Sequence, residues 1–174
     1  MKPAPPDPVK LFIGALFSDE DLLHEALFRC ENEFGAIDYR SRRFLFDVTD
    51  YYHEEMGSPI YRQFFSFTPL ATPGKLAEFK LVTNEIETET ASDGKRKVNL
   101  DIGYMDYHKV VLASAKYNGQ KIYLDHGIYA DPTLYYRKGQ FHPYDWAFPD
   151  FKDSDAYYQA LLKVREIYKS QQRG

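Results

Sequence analysis

Four carboxylates, Asp47, Asp50, Glu54 and Glu55, fall within nine residues at the end of a run that reads as a β-strand. Carboxylates gathered at a strand end can hold a hard divalent cation such as Mg²⁺, which then binds phosphate oxygens, so Asp47, Asp50 and Glu54 are the candidate metal ligands. The same residue types also build Asx turns and helix caps, here with Thr49 or Asp50 opening a short helix over Tyr51 to Met56, and the spacing fits no defined metal motif. Further on, Asn99 and Asp101 alternate with Leu100 and Ile102. A strand would set the two polar side chains on one face, where they either line a site or meet water. Asp47, Asp50 and Asp101 are expected to share one polar cavity. Like charges so gathered need a cation, and Arg62 or Arg96 can serve where no metal is bound.

The five histidines are dispersed, with no pair at metal-ligand spacing. His126, between Asp125 and Gly127 in a strand break, is the candidate acid–base and joins Asp47, Asp50 and Asp101 as a candidate catalytic group. Gly14 and Gly35 stand alone, so no phosphate-cradling loop of the Walker or dinucleotide type is present. Cys30 sits on the apolar stripe of a helix, a poor place for a nucleophile. Being the only cysteine, it also excludes an intrachain disulfide and the Cys-rich zinc motifs, which points to a reducing compartment. Fifteen tyrosines and thirteen phenylalanines suit interfaces and pockets for flat ligands as well as ordinary sheet faces, and sheet packing covers most of them. Tyr51, Tyr52, Tyr104 and Trp146 lie outside the clearest alternation and are candidates for a binding surface.

These residues need a scaffold, and 174 residues suffice for one domain with its own core. Residues 1–8 carry four prolines and read as a flexible arm, leaving 9–174 as a single domain. The net charge of −4, with Lys and Arg scattered, argues against nucleic-acid binding. The apolar run Leu11 to Phe17 is too short to span a bilayer and lacks a cleavage site, so a cytoplasmic protein without membrane association is expected.

Val9 to Phe17 reads as a strand buried on both faces, and Ser18 opens a helix with the stripe Leu22, Leu23, Ala26, Leu27, Cys30 and Phe34, ending at Gly35. Tyr39 to Val48 and Tyr61 to Pro69 read as half-buried strands flanking a polar loop or short helical turn from Thr49 to Pro59. Thr72-Pro73 starts a second helix carrying Leu76, Phe79, Thr83 and Ile86, and a strand from Lys97 to about Tyr104 follows. The order predicts an α+β fold with a ferredoxin-like βαββαβ core. Beyond it, Lys109 to Lys116, a hairpin turn at Asn118-Gly119, Gln120 to Ala130 and Thr133 to Tyr144 extend a mostly antiparallel sheet by C-terminal hairpins. Ser154 opens a final helix with Tyr158, Leu161, Leu162, Arg165 and Tyr168 on one side.

Three stretches carry a resemblance: Phe46-Asp47-Val48-Thr49-Asp50-Tyr51-Tyr52; Val98-Asn99-Leu100-Asp101-Ile102-Gly103-Tyr104 with Lys109 to Ser114; and Ile122-Tyr123-Leu124 leading to Gly127-Ile128-Tyr129-Ala130. The chain resembles the family catalogued as domain of unknown function 4416 from about Lys10 to Tyr168. The resemblance brings no catalytic residues with it. Where that family pattern has proline after the second aspartate, this chain has Ile102.

The leading expectation is a small enzyme or ligand-binding domain for a phosphorylated or nucleotide ligand, metal-assisted if Mg²⁺ is held. Thr49, Tyr51, Tyr52, Asn99, Tyr104, Arg62 and Arg96 are its candidate ligand-binding residues. The rival is a noncatalytic protein-interaction module presenting an exposed Tyr/Trp surface.

Overall fold

The computed structural model describes residues 1–174 and contains a mostly antiparallel nine-stranded sheet with five helices. Strand β1 (Val9–Phe17) is buried along its whole length, as its unbroken apolar run predicts. Helix α1 (Glu20–Phe34) follows, but Ser18 does not cap it. Asp19 accepts from the Leu22 amide at 3.0 Å, while the Ser18 hydroxyl donates across the molecule to the Met56 carbonyl. Gly35 ends the helix at φ +96°, where a Cβ would stand 2.5 Å from Pro69 Cγ.

The expected strand from Tyr39 to Val48 is two short pieces, β2 (Ile37–Arg40) and β3 (Phe44–Leu45). Between them the paired charges Arg42 and Arg43 loop outward, Arg42 over the Phe44 ring and Arg43 to Glu20 and the Phe17 ring. Phe44 and Phe46 still turn inward as the alternation requires, whereas Val48 lies exposed. The short helix α2 (His53–Met56) precedes β4 (Tyr61–Ala71). A 3₁₀ turn over Pro73–Lys75 leads into α3 (Leu76–Glu89), and β5 (Val98–Met105) comes next.

Strands β6 (Lys109–Ser114), β7 (Ile122–Asp125), β8 (Ile128–Arg137) and β9 (Gln140–Pro143) complete the sheet, before α4 (Pro149–Lys152) and α5 (Asp155–Arg173). The order is β2-β4-β1-β5-β6-β8-β7, with β3 paired to β4 and β9 to β8. Asn118-Gly119 therefore closes no hairpin between neighbours, because β8 returns between β6 and β7. The tight turns lie elsewhere, at His126-Gly127 (φ +52° and +74°) and Lys138-Gly139 (φ +51° and +83°). Positive φ at both central residues matches the twist of the flanking strands.

Each face of the sheet is covered. On one, Leu11, Ile13, Ala15, Leu100 and Ile102 pack against α1 and α3 through Leu23, Ala26, Leu27, Cys30, Phe34 and Ile86. On the other, Phe12, Phe64, Met105 and Leu134 pack against α4 and α5 through Phe151, Tyr157, Leu161 and Val164. The last helix buries Leu161, Arg165 and Tyr168 as expected, but with Tyr157 and Val164 in place of Tyr158 and Leu162, which are half-covered.

Pairing between β5 and β6 is short: it joins Gly103, Tyr104 and Met105 to Leu112, Val111 and Val110 and goes no further. At Gly103 the strands are so close that a Cβ would stand 2.5 Å from the Val111 carbonyl oxygen. Upstream, the main chain of Leu100 is satisfied by α3 instead of a strand. Its N–H donates to Glu87 Oε1 at 2.6 Å, and its carbonyl accepts from Lys80 Nζ at 3.3 Å. The sheet is split there, and the split shapes the cleft described next.

Candidate functional site

A cleft of about 490 Å³ opens where β5 and β6 part. That size suits a small ligand. Cross-strand register puts Arg62, Asn99, Asp101, Leu112 and Asp131 on the sheet face away from α1, while Lys80, Asn84 and Glu87 reach the cleft from one side of α3. Thr49, Tyr51 and Tyr52 form one wall, the β6–β7 segment with Lys116 and Lys121 another, and Phe148 and Phe151 a third.

Arg62 anchors the floor and is only 2% exposed. Its Nε and Nη2 donate to Asp150 Oδ2 at 3.2 and 3.0 Å, and its Nη1 donates to Asp101 Oδ2 at 2.7 Å and to the Gly14 carbonyl at 2.9 Å. The rings of Phe46 and Phe151 flank the guanidinium at 5.7 and 5.5 Å. Gly14 makes the approach possible, since a Cβ there would stand 3.2 Å from Arg62 Nη1. Burial works against the Arg62 charge, but Asp150 and Asp101 outweigh it and hold the guanidinium pKa above its ordinary value.

The network continues without a break. Asp101 Oδ1 accepts from Asn99 Nδ2 at 2.9 Å, and Asn99 Oδ1 accepts from Arg96 Nη1 at 3.0 Å. Arg96 makes a two-pronged pair with Glu55, at 2.7 and 2.9 Å, and also donates to Glu87 Oε2 at 3.1 Å. Burial alone would push the Asp101 carboxyl up, yet Arg62 and Lys80 hold it below the usual range. Glu87 moves the other way, pushed up by burial despite Lys80.

Two groups in this cleft stay outside the network. Lys80 is 7% exposed, its ammonium makes one hydrogen bond, to the Leu100 carbonyl, and it forms no salt bridge. An ammonium carries three donors, so most of its capacity is unused in a place where water is scarce. Asp131 has a buried Oδ1 with no hydrogen-bond partner, and its Oδ2 stands 3.8 Å from Lys121 Nζ, beyond hydrogen-bonding distance. Burial pushes the Asp131 carboxyl up. Lys121 spends two of its three donors on Ser114 Oγ and the Lys116 carbonyl, and Lys116 donates to the Tyr51 hydroxyl at 2.7 Å, joining two walls at the mouth. The lining holds five cations (Arg62, Lys80, Arg96, Lys116 and Lys121) and three carboxylates (Glu87, Asp101 and Asp131), with Asp150 and Glu55 behind it pairing Arg62 and Arg96, so Lys80 and Lys116 are the lining cations without an ion pair.

Of the residues expected from sequence, Thr49, Tyr51, Tyr52, Arg62, Arg96, Asn99 and Asp101 line this one cleft. Asp47, Asp50 and Glu54 do not. Asp47 is exposed, and Asp50, with its side chain 95% open to solvent, faces His53 Nδ1 at 3.1 Å in its own turn. The expected convergence of Asp47, Asp50 and Asp101 is thus absent: the loop after Phe46 runs outward, and Arg62 already satisfies Asp101. No three His, Cys, Asp or Glu side chains come together as a metal site, so the carboxylates proposed for Mg²⁺ are dispersed. Tyr104 points to the opposite face, against the α1 and α3 core. His126 occupies an exposed turn and reaches only Asp125, at 3.7 Å.

Lys80, Glu87, Lys116, Lys121, Asp131 and Asp150 escaped the sequence reading. A signal existed for two of them. Leu76, Lys80, Thr83 and Glu87 recur at intervals of four, three and four, so both charges sit on the buried face of a helix.

Fold and site together define an α+β protein with a mostly antiparallel sheet, split at one point to make a cation-lined cleft. The chain belongs to the family described as a domain of unknown function (DUF4416), which matches residues 7–168. No curated protein and no solved structure matches it significantly. No helix is long and apolar enough to cross a membrane.

Proposed function

We propose that the cleft binds a small phosphorylated or nucleotide ligand, with Lys80 as its principal anion contact. The carrying observation is that Lys80 is buried at the cleft with one carbonyl for a partner, while every other buried cation lining it is bonded to a carboxylate or to several acceptors. A phosphate oxygen supplies what the ammonium lacks. Tyr51 and Phe148, both exposed at the rim, offer faces to a flat ring. The carboxylates support this reading as partners of Arg62 and Arg96, and no metal ion is needed to neutralise them.

The scaffold reading that goes with this proposal is a ferredoxin-like βαββαβ unit formed by β1, α1, β2, β4, α3 and β5. It is supported by the antiparallel order β2-β4-β1-β5 and by α1 and α3 lying on one face. Titration calorimetry and thermal melting with inorganic phosphate, pyrophosphate, AMP and GMP test the binding reading. A ligand that binds only the folded state raises the melting temperature, and Lys80→Met abolishes the rise. A flat response to all four ligands overturns the proposal.

A second reading, a protein-interaction surface, is favoured by β7. This edge strand leaves Ile122, Tyr123 and Leu124 exposed with no proline or internal lysine to guard it. Trp146, stacked on Tyr144 and donating to the Pro132 carbonyl, contributes less. Sedimentation at rising concentration, comparing the native chain with Leu124→Lys, separates an associating edge from an inert one.

A further inference from the structure

The Asp131 carboxylate, which makes no hydrogen bond and has only a long ion pair with Lys121, is not explained by anion binding, because a second negative charge in a phosphate cleft repels the ligand unless it meets hydrogen-bond donors. No protein donor comes within hydrogen-bonding distance: Oδ1 is buried and unpaired, and Lys121, whose ammonium bonds Ser114 Oγ and the Lys116 carbonyl, pairs with Oδ2 only at 3.8 Å. Asp131 is also not a remote residue. It stands directly across from Leu112 on β6, which in turn faces Gly103 on β5, so it occupies the same row of the sheet face as the point where the strands part.

A carboxylate accepts and cannot donate, and at Asp131 Oδ2 is the oxygen not enclosed by protein, so a ligand meets it with an O–H or N–H group. The geometry points to Asp131 as the specificity residue of this cleft, recognising through Oδ2 a hydrogen-bond donor on the same molecule whose phosphate meets Lys80. This inference rests on the phosphorylated-ligand reading of the cleft and narrows it. Two common chemistries supply a donor that dAMP lacks: the second hydroxyl of the diol of a ribose phosphate, and the ring N–H of a guanine edge. A phosphorylated ligand with neither leaves the carboxylate desolvated and unpaired, and binds more weakly for that reason.

Titration calorimetry with AMP, dAMP and dGMP distinguishes the two sources. AMP differs from dAMP by the second hydroxyl of the diol, and dGMP differs from dAMP by the donor edge of the base. The native protein binds AMP, dGMP or both at least about tenfold tighter than dAMP, as expected for donors to a charged acceptor. Asp131→Asn, which keeps shape while giving up one acceptor, brings the preferred ligand to within about twofold of dAMP and leaves dAMP binding unchanged or tighter. Preference for AMP assigns the diol and preference for dGMP assigns the base edge.

If the native protein binds all three within about twofold, or if Asp131→Asn keeps the native ranking, the assignment of Asp131 is overturned. In that event the phosphate reading survives so long as Lys80→Met loses all three ligands. If nothing binds, or if Lys80→Met binds like the native chain, the parent reading fails and this one falls with it. Melting curves of the variants confirm that each comparison is made on folded protein.

Discussion

Two buried cations share the cleft and are treated oppositely. Arg62 on β4 is enclosed by two carboxylates, a carbonyl and two aromatic rings, and it ties β4, β1, β5 and α4 together. Lys80 on α3 has a single carbonyl. A charge whose bonding capacity is met within the protein contributes to the fold, since removing it strands its partners. A charge whose capacity is unmet carries a desolvation cost that the fold does not recover, and a ligand can recover it. By this criterion the β4–β5 side of the cleft is scaffold, and the side formed by Lys80 and Asp131 carries the unmet groups on which the proposed binding rests.

The largest expected effect tests the scaffold half. Arg62→Ala strands Asp101 and Asp150 in the interior and is expected to cost about 3 to 5 kcal/mol, measured by urea denaturation. A loss below about 1 kcal/mol would mean that the two carboxylates find other partners, and the contrast with Lys80 would disappear. Next in size is Gly103→Ala. A methyl there meets the Val111 carbonyl at 2.5 Å and must force β5 and β6 apart, at a cost of about 1 to 3 kcal/mol. Widening the split should also change ligand affinity, so an unchanged melting curve would show the strands to be more yielding than drawn.

The two halves differed as much in how they could be read from sequence. Val9 to Phe17, the stripe from Leu23 to Phe34 and the alternation of Asn99 and Asp101 are local periodicities, and each lies in the structure as its period requires. The expected meeting of the Asp47 to Glu55 loop with the Asn99–Asp101 strand was legible in part: Thr49, Tyr51 and Tyr52 line one cleft with Asn99 and Asp101, while Asp47 and Asp50 do not. The metal cluster was misplaced because carboxylates close in sequence need not be close in space: after Phe46 the chain turns outward and carries Asp47 and Asp50 into solvent. The Asn118-Gly119 hairpin failed because a turn signal does not say which strand will take the place beside β6. Asp131 and Asp150 come from segments that align with the cleft only through the register of β8 and the docking of α4, which no local pattern encodes.

Lys80→Met sharpens the comparison by reversing its sign. Methionine fills similar space without a charge to desolvate, so stability should be unchanged or rise by up to about 2 kcal/mol, although Glu87 and Asp101 lose a favourable neighbour. A loss comparable to that of Arg62→Ala would place Lys80 with the scaffold and remove the chief support for anion binding.

The smallest effect is the pH dependence of Asp131→Asn. Burial raises the Asp131 carboxyl above its ordinary value in the folded state, so between that ordinary value, about 4, and the raised one the folded chain binds more protons than the unfolded chain. Stability therefore falls as pH rises through this window, the reverse of a carboxylate held by a cation. Asp101 is such a carboxylate: its pKa is depressed, and its contribution is lost only as pH falls below the ordinary range. Asparagine at 131 has no charge to lose, so the variant should match the native chain in melting temperature below about pH 4 and exceed it as pH rises through that window, by less than about 1 kcal/mol, the difference staying constant above the raised value. Glu87, shifted in the same direction, leaves a residual slope in the variant. A difference that is flat across pH, or a variant that becomes the less stable as pH rises, would mean that Lys121 or another cation closes on the Asp131 carboxylate in solution. Asp131 would then belong with Arg62 among the paired charges, and the cleft would keep Lys80 as its one unmet group.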